Sequence, residues 1–295
     1  LLLRNADDAM YHAKNNGRNN FQFYSTEMNA LATQRLAMET SLRRAVEQDE
    51  LYLHFQPQIN LVTGKLSGAE ALLRWKSEEW GNVSPEEFVP ILEDTGLINE
   101  VGSTVLRQSV QAYLDLKHKL DPDFQIAVNL SGRQFHGGQL SAFVRDLLSE
   151  TGMQAKNLEL EITETVLMND KELAVSTLNE LNDLGVTLAI DDFGTGYSSL
   201  SYLKQFPLNV LKIDRSFIRD VTIDADDAAI VDAILAMSRR LQLNVVAEGV
   251  ETKEQLIFLQ NNGCKRVQGY YFSKPLDFES FSDFIDNSDI SSLIN

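Results

Sequence analysis

Five residues with oxygen-donating side chains stand at or near the ends of short apolar segments of this chain. They are Glu70, Asn129, Glu161, Asp191 and Asp192. Carboxylate and amide oxygens, with no cysteine or histidine among them, favour Mg²⁺ or Mn²⁺ over Zn²⁺. If one aspartate bridges two ions while its neighbour holds the second, the set could stabilise both the attacking and the leaving oxygen of a phosphoryl transfer. The pattern therefore predicts a site for two divalent cations.

Lys212 and Glu248 end two further apolar segments and offer proton-transfer chemistry. A lysine inside a barrel can be a Schiff-base nucleophile, but that role needs a depressed pKa. Asp214 and the surrounding carboxylates would instead stabilise the ammonium form. We expect Lys212 to be a cation that orients water or steadies phosphate charge, and Glu248 to accept a proton from that water.

Composition narrows the class of protein and of partner. The net charge of −17 argues against binding of a nucleic-acid duplex, which requires clustered basic residues. No apolar run approaches the ~18 residues of a membrane helix, so we expect no membrane contact within this chain. The single cysteine, Cys264, is typical of a small buried residue in a reducing compartment. We expect a cytoplasmic location, with any membrane anchor lying upstream.

The elements that position these residues alternate between short apolar strands and longer helical segments, a pattern typical of repeated β/α units. Eight strands suggest a closed TIM-like α/β barrel. Only a short connection separates the first two, too short for a parallel crossover, so the first strand should be antiparallel to the second. The predicted strands are residues 51–56, 68–75, 125–130, 158–163, 186–191, 210–214, 244–248 and 266–269.

Strand alternation places the polar residues together. In the segment LELEIT the apolar side chains occupy every second position, which leaves Glu161 on the opposite face. The same split separates Asn129, Asp191, Lys212 and Glu248 from their apolar neighbours. Because the apolar set must pack against the outer helices, the polar set points inward, toward the carboxyl ends of the strands where barrel enzymes build their active sites.

Four regions are predicted along the chain. Residues 1–25 form the end of a preceding domain, and residues 26–48 carry apolar positions at helical spacing and form a linker helix. The barrel covers residues 49–285. Residues 286–295 form a C-terminal tail.

Several motifs together resemble the EAL-type cyclic di-GMP phosphodiesterase domain, over residues 30 to 285. They are Gln56 in FQPQ, the tripeptide Glu70-Ala71-Leu72 with Arg74, Asn129 in VNLS, Glu161 and Glu164 in EITET, Asp191 and Asp192 in DDFGTGYSSL, Lys212 and Asp214 in LKID, Glu248 and Glu251 in AEGVE, and Gln268 in QGYYFSKP. Residues 1–25 similarly resemble the end of a GGDEF diguanylate cyclase domain. The signature motif of that domain is absent, so we expect no synthesis of cyclic di-GMP by this chain.

The resemblance implies an activity and roles for individual residues. The activity is hydrolysis of cyclic di-GMP to linear pGpG, with two Mg²⁺ or Mn²⁺ ions held by the five oxygen-donating residues and with inhibition by Ca²⁺. It implies that Lys212, Glu248 and Asp192 are catalytic, that Glu164 supports the loop after the strand that ends in Asp191, and that the chain forms a homodimer. The implied substrate-binding residues are Gln56, Arg74, Asp214 and Gln268.

Two alternative functions would use the same inward-facing residues. A receptor would bind cyclic di-GMP without cutting it, and a barrel hydrolase would act on another phosphodiester. The intact set of carboxylates favours catalysis over binding alone.

Overall fold

The computed structural model describes residues 10, 26–195 and 203–294, which fall into two compact units. One unit contains the described part of Leu1–Tyr52 together with Arg74–Leu97, and the other contains Leu53–Leu73 and the chain from Ile98 onward. Residues 1–9 and 11–25, predicted to end a preceding domain, lie outside the description. No helix in the described ranges is long and apolar enough to cross a membrane.

In the described ranges, eight strands close into a barrel, and a ninth, short strand pairs with the end of one of them. The strands are β1 (Leu51–Asn60), β2 (Lys65–Ser77), β3 (Gly81–Val83), β4 (Gln125–Leu130), β5 (Leu158–Thr163), β6 (Thr187–Phe193), β7 (Val210–Ile213), β8 (Asn244–Ala247) and β9 (Arg266–Gln268). The order around the sheet is β1-β9-β8-β7-β6-β5-β4-β2, and a pairing of β1 with β2 closes it. The predicted barrel fold is confirmed.

The direction of the first strand also agrees with the prediction. Neighbouring strands from β2 through β9 around the barrel are parallel, whereas β1 pairs with β9 in the antiparallel sense, with Gln58 opposite Gln268. The direction of β1 follows from its connection to β2, because the turn of four residues between them is too short for a parallel crossover. The strand β3 pairs antiparallel with the end of β2 and was not predicted.

In addition to the strands, the described residues of the two units form α-helices. They are α1 (Thr26–Glu47), α2 (Pro85–Thr95), α3 (Ile98–Leu116), α4 (Gly132–His136), α5 (Leu140–Thr151), α6 (Glu164–Asn169), α7 (Lys171–Leu184), α8 (Arg215–Arg219), α9 (Ala225–Leu241), α10 (Lys253–Asn261), α11 (Phe278–Asn287) and α12 (Ile290–Ile294). The last of these falls within the predicted tail, and its Ile290 is buried. The outward residues Leu158, Leu160 and Ile162 are fully buried beneath the helices.

The first unit has its own packing. The Trp75 indole donates a hydrogen bond to Glu50 at 3.1 Å and meets the Phe88 ring edge-on at 5.8 Å between centroids. The Trp80 indole donates to Ser41 of α1 at 3.2 Å. These contacts fix α1, which spans the residues predicted as a linker helix, against the β2 end and α2.

Inside the barrel, an apolar layer lies below the polar one. Ala189, Val210 and Val246 form a buried cluster. Each precedes a polar residue (Asp191, Lys212, Glu248) by two positions, so alternation places it on the same inward face, one layer further from the carboxyl ends. On these three strands, apolar side chains therefore lie directly below the polar side chains at the barrel mouth.

Candidate active site

Lys212 lies at the centre of the inward polar residues and is fully buried. Its Nζ lies 2.6 Å from Glu161 Oε2 and 2.8 Å from Glu248 Oε1. It is also 3.2 Å from Asp191 Oδ1 and 3.6 Å from Glu70 Oε2. Four carboxylates from four strands or strand ends therefore surround a single ammonium group.

Glu70 is held in place by two amides. Asn129 Nδ2 donates to its Oε1 at 2.5 Å, and Gln268 Nε2 donates to its Oε2 at 2.6 Å. The same Gln268 nitrogen donates to Gln56 Oε1 at 3.1 Å, and Gln56 Nε2 donates to the Ser273 carbonyl at 3.3 Å. The structure therefore brings together Glu70, Asn129, Gln268 and Gln56.

Asp191 and Asp192 reach the same space through an irregularity in β6. The strand continues to Phe193, beyond the predicted end at residue 191, and its register with β7 shifts between Ile190 and Phe193. Asp192 adopts a left-handed backbone with φ of 54°. Such a bulge redirects a side chain that regular alternation would point outward. The side chain of Asp192 is thus redirected within the strand itself.

The other predicted site residues Glu164, Asp214 and Arg74 have the following surroundings. Glu164 is buried at the start of α6 and accepts a hydrogen bond from the Gly194 amide at 3.2 Å, just before residues 196–202, which lie outside the described ranges. Asp214 caps α8, accepting from the Ser216 amide at 3.0 Å. Arg74 is half-buried in β2, four residues beyond Glu70.

The pKa values follow from burial and charge. Burial alone would lower the pKa of Lys212, but Asp191, Glu161 and the other two carboxylates raise it well above its ordinary value. Burial together with neighbouring carboxylates raises the pKa of Glu161 well above its usual range, against the opposing effect of Lys212. The ammonium assignment for Lys212 is therefore favoured over a Schiff-base nucleophile.

Three other carboxyl groups are perturbed. Burial raises the pKa of Glu248 to about 8, with Lys212 opposing and Asp191 adding to the shift. Burial and the charges of Asp191 and Asp214 raise the pKa of Asp192 to about 6. For Glu70, burial is outweighed by Lys212 and the hydrogen bonds of the two amides, so its pKa is lowered.

The carboxylates form two groups that share Asp191. Glu70, Glu161 and Asp191 bring ligand atoms within 4.8 Å of one another, as do Asp191, Asp192 and Glu248. The Glu161 Oε1 atom is buried and accepts no hydrogen bond from the described residues. An orphaned buried carboxylate oxygen, an excess of negative charge and hard oxygen donors fit divalent cations. An aspartate common to both groups would allow two neighbouring ions to be held side by side.

One buried polar pair was not anticipated. Glu159 and Arg266 precede Glu161 and Gln268 by two positions, so alternation places them one layer below the site. Arg266 Nη2 donates to Glu159 at 3.1 Å, and Nη1 donates to Gln125 at 2.8 Å. Their inward direction follows from the sequence, but their pairing requires that β5 and β9, which are not neighbours in the sheet, face each other across the barrel interior.

Comparison with known proteins shows which family and which relatives this chain resembles. The EAL domain family model matches residues 39–275. The bifunctional diguanylate cyclase/cyclic di-GMP phosphodiesterase MucR of Pseudomonas aeruginosa is 45% identical over 94% of this chain, which spans 41% of that relative. The cyclic di-GMP phosphodiesterase NbdA of the same organism is 43% identical over 96% of the chain, which spans 36% of it. The chain thus spans about two fifths of the length of these curated relatives.

A solved structure is also similar to this chain. The MucR phosphodiesterase in complex with c-di-GMP is 42% identical, with a TM-score of 0.80, covering 83% of this chain and 99% of that one. This chain belongs to the EAL domain family, and the predicted membership is confirmed.

Proposed function

We propose that this domain hydrolyses one phosphodiester bond of cyclic di-GMP to give linear pGpG, with two divalent cations, Mg²⁺ or Mn²⁺, at the barrel mouth. The observation that carries the proposal is the pair of acidic groups sharing Asp191 around Lys212. Support comes from the relatives named cyclic di-GMP phosphodiesterase and from the similar structure solved with c-di-GMP.

Five residues would hold the ions: Glu70, Asn129, Glu161, Asp191 and Asp192. When bound, the ions would supply Lewis-acid polarisation of the phosphate and a water of lowered pKa. The two amides on Glu70 orient its carboxylate, because each oxygen accepts one fixed donor. The bulge at Asp192 lets two adjacent aspartates serve the same space.

Lys212 and Glu248 would carry out the chemistry on water. The attacking water would give one proton to the carboxylate of Glu248, whose pKa of about 8 the bound cations would lower, while the water oxygen bonds to phosphorus and the bond from phosphorus to the 3′ oxygen breaks. The phosphate would remain on the 5′ oxygen, the leaving 3′ oxygen would take a proton from water, and Glu248 would release its own proton to solvent. Lys212, charged at neutral pH, would orient the water and stabilise the added negative charge.

Substrate contacts are proposed for Gln56, Arg74, Asp214 and Gln268, and loop support for Glu164. The Glu164 proposal is supported by its hydrogen bond to the Gly194 amide. We further propose that residues 1–25 end a GGDEF-like domain, that the domain acts in the cytoplasm and that it forms homodimers. Similarity to a relative with a bifunctional name supports the first of these.

Chromatography of cyclic di-GMP incubated with the chain and Mg²⁺ or Mn²⁺ tests the activity. We expect pGpG from the wild type and none from Glu70→Ala, which loses a metal ligand but keeps its fold. Glu150→Ala, which removes an exposed carboxylate of α5, is the matched control and should be fully active. Binding without cleavage would favour the receptor, and faster cleavage of linear dinucleotides or aryl phosphodiesters would favour another hydrolase.

A further inference from the structure

A second buried glutamine lies behind Gln268. Gln58 in β1 is completely buried, and the backbone register places it directly opposite Gln268 of β9. Its side-chain Nε2 donates to Gln268 Oε1 at 3.1 Å. Because Gln268 in turn donates to Glu70, the amide of Gln58 is connected to the acidic cluster through one intermediate side chain.

The direction of this hydrogen-bond chain is set by charge. An ionised Glu70 accepts hydrogen bonds and donates none, so the nitrogen of the Gln268 amide must face it. The oxygen of that amide then faces Gln58, where a donor is required. A reversed Gln268 amide would place an oxygen against the Glu70 carboxylate. The Gln58 donor therefore holds Gln268 in the one orientation that serves Glu70.

Two observations indicate that Gln58 does more than fill space. Its own Oε1 is buried without a hydrogen-bond partner among the described residues, a costly condition that an apolar side chain of similar volume would avoid. In addition, a Cβ at Gly68 would lie 3.0 Å from that oxygen and 2.8 Å from the Gln125 carbonyl. The missing side chain at Gly68 therefore leaves room for the Gln58 amide.

We infer that Gln58 is a positioning residue, which fixes the Gln268 amide and, through it, the Glu70 carboxylate in the geometry needed to bind the divalent cation. This inference rests on the proposed function, since it assigns Glu70 to the metal. Partners of metal ligands typically change metal affinity by about 10- to 100-fold when they are removed. Gln58 acts one residue further away, so the lower end of that range applies.

The test measures Mn²⁺ binding by isothermal titration calorimetry on metal-stripped protein. Gln58→Met keeps the approximate volume and removes the donor, and we expect about tenfold weaker Mn²⁺ binding. Leu181→Ala, a core truncation on α7, controls for lost stability and should bind Mn²⁺ as the wild type does. Should Gln58→Met fail to fold, Gln58→Asn, whose amide is withdrawn by one methylene, takes its place.

A double-mutant cycle separates positioning from a general loss of structure. In a Gln268→Met background, Gln58→Met should change Mn²⁺ affinity less than twofold, because the residue it acts through is gone. Equal losses in both backgrounds, or wild-type affinity in the single variant, would overturn the inference. Failure of the wild type itself to bind Mn²⁺ or to cleave cyclic di-GMP would instead contradict the proposed function.

Discussion

Removal of the central ammonium group should expose how strongly the four carboxylates repel one another. In Lys212→Met the chain keeps a buried side chain of similar length but loses the ammonium group that lies within 4 Å of Glu70, Glu161, Asp191 and Glu248. Breaking a buried ion pair by removing one partner costs about 3 to 5 kcal/mol. At roughly 2 to 4 °C per kcal/mol, the melting temperature in EDTA should fall by about 6 to 20 °C.

The effect should depend on pH with a definite sign. Burial and the neighbouring carboxylates already raise the pKa of Glu161 well above 4.5 and that of Glu248 to about 8. At pH values between the pKa of such a carboxyl group in the unfolded chain and its higher pKa in the folded protein, the folded protein binds more protons than the unfolded chain. Its stability therefore falls as the pH rises. Loss of Lys212 raises these pKa values further. The loss of stability that Lys212→Met causes in EDTA should therefore be larger at pH 8 than at pH 5.

Thermal unfolding followed by circular dichroism, with and without Mn²⁺, measures both effects. Mn²⁺ should stabilise the wild type and the variant, since an ion that binds only the folded state raises its stability. Lys156→Met, which removes an exposed lysine paired with Asp123, is the matched control and should melt as the wild type does. A Lys212→Met protein that melts within 2 °C of the wild type in EDTA at pH 8 would refute the reasoning.

Further expectations concern catalysis, metal choice and the lone thiol. Glu248→Gln should lower kcat by about 10² to 10⁴ with cyclic di-GMP affinity retained, and single-turnover cleavage within threefold of the wild type would contradict its role as proton acceptor. Ca²⁺, which prefers looser and higher coordination than Mg²⁺, should support binding with little hydrolysis, and comparable rates with both ions would argue against a demanding site. Burial raises the pKa of Cys264 to about 12, so a disulfide reagent should react with it only after unfolding, and rapid labelling of the native protein would contradict its burial.

Much of the barrel follows from periodicity. Each polar residue at a strand end is preceded by apolar residues at every second position, so its face is fixed before any contact is known. This argument places Glu161, Asp191 and Lys212 in one cluster, where their carboxylates and ammonium lie within 4 Å. The direction of β1 follows equally simply, from the length of the connection to β2.

The features that escaped prediction depend on register or on irregular backbone. Asp192 was predicted as a site residue, but the bulge with φ of 54° that redirects it is something alternation cannot describe. The roles of Gln58 and Arg266 require knowing which residue of another strand lies opposite, a relation that only the closed sheet sets. The alternation of residues in a strand therefore predicts the face that a side chain occupies, whereas the alignment of strands in the closed barrel determines its partner.

A manganese anomalous difference map of the crystallised domain tests most directly whether the acidic residues at the barrel mouth hold two cations. The account predicts two peaks about 3.5 to 4 Å apart, with Asp191 contacting both, Glu70 and Glu161 on one side and Asp192 on the other. Peaks remote from Asp191, or none in protein that cleaves cyclic di-GMP, would contradict it.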